Sequence, residues 1–158
     1  MIEIRRMQID DLDQVMEIEN ATFSVPWTET GYFTFLLRND TLFLVAEEEG
    51  KILGYCGALM VLDEADVTNV AVTEERRGSG IGRKLMEALI DKTRKEGIRA
   101  LHLEVRSSNE AARTMYRKLK FEEDGVRKGY YESPREDAVL MTLRQETVPS
   151  GQTGRNVV

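Results

Sequence analysis

The sequence predicts an α/β fold with one mixed sheet covered by helices on both faces, in the order β-α-α-β-β-β-α-β-α-β-β. Two observations predict this fold. Three apolar runs, at 41–47, 52–61 and 66–73, are joined by short turns, which is typical of an antiparallel meander. A helix-patterned segment then leads to a fourth run at 99–105, and such a crossover makes the strands at 66–73 and 99–105 parallel.

The N-terminal elements follow from periodicity and caps. Residues 2–6 alternate weakly and predict a short strand, and Asp10 can cap a helix that runs to about residue 22. The helical spacing is marked by Leu12, Val15, Met16 and Glu19. Residues 24–27 break this helix, and an aromatic helix is predicted over 28–37. The only tryptophan, Trp27, lies in the break, where it is either a core anchor or a wall of a substrate pocket.

The C-terminal elements are predicted in the same way. Gly97 ends the helix that follows the third apolar run, because glycine favours the left-handed conformation of a helix end. The later elements are a helix over 107–119 and strands over 121–128 and 138–143. We therefore predict one domain over residues 1–144. Residues 145–158 show no apolar periodicity, and we predict a disordered tail there.

Composition narrows the class of protein. The chain of 158 residues is large enough for one buried core, and we find no transmembrane stretch or signal peptide in it. The net charge of −6 argues against general nucleic-acid binding. One His and one Cys argue against a zinc site, and Cys56 lies in an apolar run, where we expect a buried structural thiol. The expected compartment is the cytoplasm.

The glycine-rich stretch 76–84 follows an apolar run and begins a helix pattern. Glycines let backbone approach a ligand closely, and the N–H groups of a helix N-terminus favour phosphate. Four basic residues share the turn, namely Arg76, Arg77, Arg83 and Lys84. They are either simply solvated or part of an anion site, and the neighbouring glycines favour the anion site. The stretch therefore predicts a pyrophosphate site.

A carboxylate and a phenol are predicted beside that site. Along 99–105, alternation places Glu104 on the face opposite the apolar residues. Glu104 is either a salt-bridge partner of Arg106 or Arg113, or a partly buried general base. Tyr116 lies on the apolar face of the next helix and is either core or a weak acid. A base and a weak acid near a phosphate-binding turn suggest group transfer from a nucleotide-like donor.

These residues resemble a known family. The segment Arg77–Gly82 (RGSGIG) resembles the acyl-CoA pyrophosphate motif of the GNAT N-acetyltransferases, which is moderately specific alone. Further matches elsewhere in the chain make the resemblance more specific. They are NVAV at 69–72, LEVRSSN at 103–109, Met115-Tyr116, Leu119 with Phe121, Tyr130-Tyr131, Glu136-Asp137-Ala138 and Pro26-Trp27. Together they resemble, over roughly residues 2–143, the bacterial ribosomal-protein-alanine N-acetyltransferases, which acetylate the N-terminal α-amine of a small-subunit ribosomal protein.

The resemblance implies a GNAT-like fold, acetyl-CoA as co-substrate, no metal, and a ribosomal-protein N-terminal segment as partner, with no nucleic acid or membrane. Backbone groups of Val70, Ala71 and Val72 would hold the pantetheine and thioester. The pyrophosphate would lie on Gly78, Ser79, Gly80, Ile81, Gly82 and Arg83, and Asn109 would contact the cofactor arm. Glu104 would accept a proton and Tyr116 would donate one. The chain departs from the family pattern at Lys120, usually Gly, and at Thr73, often Pro.

The sequence is compatible with two other functions. The first is a GNAT enzyme that acetylates a small amine or a lysine side chain. It would share the donor site and differ only in the pocket around Trp27, Tyr32, Tyr130 and Tyr131. The second is a non-catalytic acyl-CoA-binding module. The presence of both Glu104 and Tyr116 counts against it, because such a module needs neither.

Overall fold

A computed structural model describes residues 1–147. The strands are β1 (Glu3–Arg6), β2 (Thr41–Glu48), β3 (Lys51–Val61), β4 (Glu64–Val72), β5 (Ala100–Arg106), β6 (Glu122–Tyr131) and β7 (Glu136–Arg144). The helices are α1 (Leu12–Thr22), α2 (Glu29–Leu36), α3 (Ile81–Lys95) and α4 (Glu110–Lys118). The strands form one mixed sheet in the order β1-β2-β3-β4-β5-β7-β6. This confirms the predicted fold class and element order, whereas part of the predicted tail, residues 148–158, lies outside the described residues.

The chain divides into two compact units. Unit 1 contains Met1–Leu59 and Val67–Leu89, and unit 2 contains Met60–Asp66 and, of the described residues, those from 90 to 147. No helix within residues 1–147 is long and apolar enough to cross a membrane.

In unit 1, helices cover both faces of the strands. On one face, α1 and α2 pack on the strands in a buried cluster that includes Tyr32 of α2, Phe43 of β2 and Tyr55 of β3. On the other face, Leu85 of α3 packs against Gly54, where an added Cβ would lie 3.3 Å from its Cδ1. Cys56 is fully buried there and its Sγ donates to the carbonyl of Leu85 at 3.7 Å, which confirms the predicted buried thiol. Burial raises the pKa of this thiol far above its ordinary value.

Phe43 and Gly57 are paired across β2 and β3. A Cβ built on Gly57 would lie only 2.1 Å from Cε1 of Phe43, so the phenyl ring occupies the space above the glycine. Gly57 is therefore required for close packing rather than for an unusual backbone conformation.

The start of α1 differs from the prediction. Asp11, rather than Asp10, is the residue before the helix, and it ends a short 3₁₀ turn over Ile9–Asp11. The Asp11 carboxylate accepts from the Gln8 N–H at 2.7 Å and from both terminal nitrogens of Arg5 at 2.8 Å. The start of α2 agrees with the prediction, because Thr28 Oγ1 accepts from the Gly31 N–H at 3.0 Å.

Unit 2 contains the parallel pairing. Glu64 to Asp66 of β4 pair with Ala100 to His102 of β5 in parallel register, as predicted. β5 pairs antiparallel with β7 along its whole length, and β6 lies at the sheet edge. β6 and β7 are longer than predicted, with bounds Glu122–Tyr131 and Glu136–Arg144. The two strands continue together almost to their connecting turn, where Tyr131 still pairs with Glu136.

The end of α4 has the hydrogen bonds of a Schellman motif. The Phe121 N–H donates to the Tyr116 carbonyl at 3.0 Å, and the Lys120 N–H donates to the Arg117 carbonyl at 3.0 Å. Lys120 has φ +79°, in the left-handed region where glycine is favoured. The motif also brings the Phe121 ring to 5.6 Å from the Tyr116 ring. The lysine thus takes the conformation of the glycine that it replaces.

Candidate active site

The glycine-rich turn of unit 1 has open space above it. Gly78 has φ +81° and Gly80 has φ +88°, conformations that L side chains rarely adopt. A Cβ built on either glycine would have no heavy atom within 4 Å. α3 begins at Ile81, which is 1% exposed and anchors the helix, while the first helical hydrogen bond runs from the Lys84 N–H to the Gly80 carbonyl. The N–H groups of the first turn therefore remain available to an anion.

The arginines of this turn bond to the protein itself. Arg76 pairs with Glu48 at 2.8 Å, and Arg83 Nε lies 3.4 Å from Glu87. Arg77 donates from Nε to the Val72 carbonyl at 3.0 Å and from Nη2 to Thr22 Oγ1 at 3.2 Å. The crowd of basic charge expected from the sequence is thus partly neutralised, and Arg77 fixes the turn to the end of β4.

The turn is also closed by a side chain. Ser79 Oγ donates to the Arg76 carbonyl, so this hydroxyl shapes the loop. On β4, Ala71 faces the core and is 5% exposed, whereas Val70 and Val72 are only half-buried. The alternation leaves two of the three residues predicted to hold pantetheine on a partly open face.

Glu104 of unit 2 is exposed, so the expected partial burial is wrong. The alternation was predicted correctly, since Leu101, Leu103 and Val105 on the other face of β5 are buried. The face of β5 that bears Glu104 is therefore more exposed to solvent than we expected for a central strand.

The predicted salt-bridge partners of Glu104 pair elsewhere. Arg106 lies 3.3 Å from Glu136, and Arg113 pairs with Glu110 at 2.9 Å and with Glu123 at 3.0 Å. Among the ion pairs of residues 1–147, neither arginine bonds to Glu104. The structural role suggested for this carboxylate therefore loses support.

Tyr131 lies within the electrostatic influence of Glu104. Partial burial and then the charge of Glu104 raise the pKa of Tyr131 to about 12. The guanidinium of Arg106 lies over its ring at 4.5 Å, and the ring of Tyr130 meets it edge-on at 5.1 Å. The structure therefore brings a carboxylate and an aromatic pair together in unit 2.

The start of α4 is held by two side-chain acceptors, the carboxamide of Asn109 and the carboxylate of Glu136. Asn109 Oδ1 accepts from the Ala112 N–H at 3.2 Å and caps the helix. Glu136 accepts from the Ser108 N–H at 2.6 Å and from Ser107 Oγ at 3.1 Å. These bonds, led by those of Ser108, lower the pKa of Glu136 to about 2. Because the oxygen of Asn109 is used for capping, its Nδ2 is the group that could contact a cofactor.

Tyr116, the predicted proton donor, lies on α4 and is 6% exposed. Its ring packs against Phe121, and its carbonyl accepts the Schellman bond described above. The apolar face predicted for this helix is thus confirmed, and the position of Tyr116 depends on the helix end.

Sequence reasoning missed a buried polar cluster in unit 1. Glu19 is 1% exposed, and its carboxylate accepts from the hydroxyls of Tyr32 and Tyr55, each at 2.6 Å. It also accepts from the Trp27 N–H at 2.8 Å. The signal was present in the sequence, since a charged residue occupies the apolar face of the first predicted helix. Trp27 itself packs against Phe35 at 4.9 Å, which supports its interpretation as a core anchor.

The sequence motifs point to a class of acyltransferases, and the order of the strands in the sheet fits the fold of that class. The family model of the acetyltransferase (GNAT) family matches residues 12–121, and the chain belongs to this family.

Individual relatives cover nearly the whole chain. The ribosomal protein bS18-alanine N-acetyltransferase of Escherichia coli (strain K12) is 37% identical over 147 residues, which cover 90% of this chain and 97% of that protein. A Bacillus subtilis (strain 168) protein, provisionally named for the same activity, is 39% identical over 139 residues, 87% of this chain and 92% of its own length. The crystal structure of the ribosomal-protein-S18-alanine N-acetyltransferase from Escherichia coli has a TM-score of 0.87 and 35% identity, and covers 94% of this chain and 96% of its own.

Proposed function

We propose that this chain transfers the acetyl group of acetyl-CoA to the N-terminal α-amine of a protein, namely an N-terminal alanine of a small-subunit ribosomal protein. The observation that carries the acceptor assignment is the 37% identity to the bS18-alanine enzyme, which extends over 97% of that protein. We expect the enzyme to act in the cytoplasm, where ribosomal proteins are made.

The donor assignment is supported by the fit of the glycine turn to a pyrophosphate. Gly78 and Gly80 leave the space above the turn open, and the N-terminal N–H groups of α3 are suited to an anion. Arg77 fixes that turn relative to the carbonyl of Val72, next to the backbone that would hold pantetheine. Gly82 and Arg83 lie in the first turn of the helix, and their N–H groups complete the donor set.

The chemistry assigned to unit 2 is proton transfer. An N-terminal ammonium, whose free pKa is roughly 7.7–8.0, must lose a proton before its nitrogen can attack. Glu104, exposed on β5, would accept that proton directly or through a water molecule. The nitrogen then bonds to the thioester carbonyl carbon, and a backbone N–H near Val72 would stabilise the oxyanion. Tyr116 would protonate the departing thiolate as the carbon–sulfur bond breaks. The nitrogen would lose its second proton to solvent, and the phenol would regain its proton from solvent before the next turnover.

The test offers acetyl-CoA with peptides that differ only in the N-terminal residue, together with N-terminally blocked peptides that contain lysine. Mass spectrometry identifies the amine that carries the acetyl group. We expect acetylation at the α-amine, fastest for N-terminal alanine, and no product from blocked peptides. Acetylation of the lysine peptides alone would overturn the acceptor assignment in favour of a lysine acetyltransferase.

The matched control is Glu104→Gln, which keeps the shape of the side chain and removes its basicity. Any product that forms equally fast with this variant does not depend on the proposed proton acceptor.

A further inference from the structure

A cleft between the start of α1 and the start of α2 is lined by apolar side chains that are open to solvent. It has a volume of about 640 Å³ and lies wholly within unit 1. Leu12 is only 4% exposed, but Ile9 and Phe33 are 49% and 41% exposed. Single exposed apolar residues are common on proteins, whereas neighbouring ones that share a concave surface mark an interaction site.

Three exposed carboxylates line the same cleft, namely those of Asp10, Asp13 and Glu29. Among the ion pairs and side-chain hydrogen bonds of residues 1–147, none involves these carboxylates. No lysine or arginine of that part of the chain lines the cleft. Asp11, by contrast, pairs with Arg5 at 2.8 Å in the same unit. We call this surface the acidic cleft, and its three negative charges are left without a cation.

The spacing of these residues places charge and hydrocarbon on the same helix faces. Ile9 begins the 3₁₀ turn that leads into α1, and Asp13 follows it by four residues. On α2, Phe33 likewise follows Glu29 by four residues. Acidic residues in the first turn of a helix complement its dipole, which accounts for Asp13 and Glu29. The dipole does not account for the exposed apolar side chains beside them.

This combination selects among binding partners. Unpaired carboxylates repel the phosphates of nucleic acids and of anionic lipids, and they attract lysine and arginine side chains. The apolar side chains between them favour a partner that also brings hydrocarbon. We propose that the acidic cleft is a docking site for a basic protein segment in which apolar residues lie between arginines or lysines. Such docking goes beyond the proposed function, because it requires neither acetyl-CoA nor an acceptor amine.

The probe for this site is a short peptide in which arginines and leucines alternate, with its N-terminus acetylated and its C-terminus amidated. It has no free amine, so its binding does not depend on the acceptor assignment. At about 0.1 M salt, where charges more than about 10 Å apart are largely screened, we expect saturable, one-to-one binding by calorimetry. The same peptide with serine in place of leucine should bind about tenfold more weakly, because it buries less hydrocarbon.

Two variants separate the contribution of charge from that of hydrocarbon. The triple change Asp10→Asn, Asp13→Asn and Glu29→Gln should weaken probe binding about tenfold, as for three lost exposed ion pairs. Phe33→Ala removes the half-exposed ring and should also weaken binding about tenfold, while alanine keeps α2 helical. For both variants we expect an acetyl-CoA Kd within about twofold of wild type, which shows that the chain is folded.

The matched control is the triple change Glu3→Gln, Glu49→Gln and Glu122→Gln. These carboxylates are exposed, lie outside the acidic cleft and form none of the ion pairs of residues 1–147. The control therefore changes the net charge by the same amount as the triple change in the cleft. We expect its affinity for the probe to stay within about twofold of wild type. Equal weakening by the two triple changes would overturn the proposal, because binding would then follow net charge alone.

Three further results would also overturn the proposal. They are the absence of saturable binding, equal affinity for the leucine and serine peptides, and dimers of the wild-type chain that the triple change in the cleft abolishes. The dimers would show that a second copy occupies the cleft, and sedimentation velocity of the chain alone tests for them. We expect the wild type and that variant to sediment alike. None of these measurements uses an acceptor amine, so failure of the acetylation assay is distinguishable from failure of the docking site.

Discussion

Replacing Lys120 by glycine should stabilise the protein. Lys120 occupies the left-handed position of the Schellman motif with φ +79°, and its side chain is exposed. A non-glycine residue in this region costs about 1–2 kcal/mol. Glycine removes that cost but loses about 0.5–1 kcal/mol through the greater freedom of the unfolded chain. We therefore expect a net gain of about 0.5–1 kcal/mol in the free energy of unfolding.

The assay is thermal and urea unfolding followed by circular dichroism. For a domain of this size about 1 kcal/mol corresponds to a Tm shift of roughly 2–4 °C, so Lys120→Gly should raise Tm by about 2–3 °C. Lys120→Ala is the matched control, because it removes the same charge and keeps the Cβ. We expect the alanine variant to stay within about 0.5 kcal/mol of wild type. Equal stability of the two variants would refute the backbone argument, since it would trace any change to the lysine side chain.

The remaining predictions concern the site and its support. Glu104→Gln and Tyr116→Phe should each lower kcat about 100-fold or more and leave acetyl-CoA affinity within about twofold, by stopped assays and calorimetry; wild-type rates would contradict the assigned roles. Gly80→Asp should abolish CoA binding, because it adds bulk and negative charge at φ +88°. Gly50→Asp, at φ +83° in a hairpin turn, matches the backbone strain and should bind CoA normally. The pKa of Glu136 is lowered from its ordinary value of 4.5 to about 2, so the ionised carboxylate stabilises the fold fully at pH values above about 4.5. This stability is lost as pH falls towards about 2. The Tm difference between wild type and Glu136→Gln should therefore be constant above about pH 5 and should decrease as pH falls below about 5. A constant difference down to about pH 2 would contradict the stabilising role of the ionised Glu136.

The element order could be predicted from the sequence because side-chain periodicity is a local property. The alternation of β5 is an example, since Leu101 and Leu103 are buried as expected. The cap of α1 could not be predicted in the same way. Asp10 and Asp11 are equivalent in sequence, and Asp11 is selected by its bonds to Arg5, which lies on a strand.

The solvent exposure of the site residues could not be predicted from the sequence in the same way. The sequence shows that Glu104 faces away from the apolar residues, but its exposure depends on what covers that face, which periodicity does not contain. The donor turn could be predicted because glycine and helix signals are contiguous. Glu19 carried a readable signal as a charge on an apolar helix face. Its partners Tyr55 and Asn69 come from distant strands, so the cluster itself needed the structure.

The pairing of Phe43 with Gly57 limits how this protein can change. The two positions share a single volume, because the ring of one fills the space of the other's missing side chain. A larger residue at 57 is compatible with the sheet only if residue 43 becomes smaller in the same lineage. When segments of related proteins are recombined, a β3 with a larger residue at 57 therefore fits only beside a β2 with a smaller residue at 43.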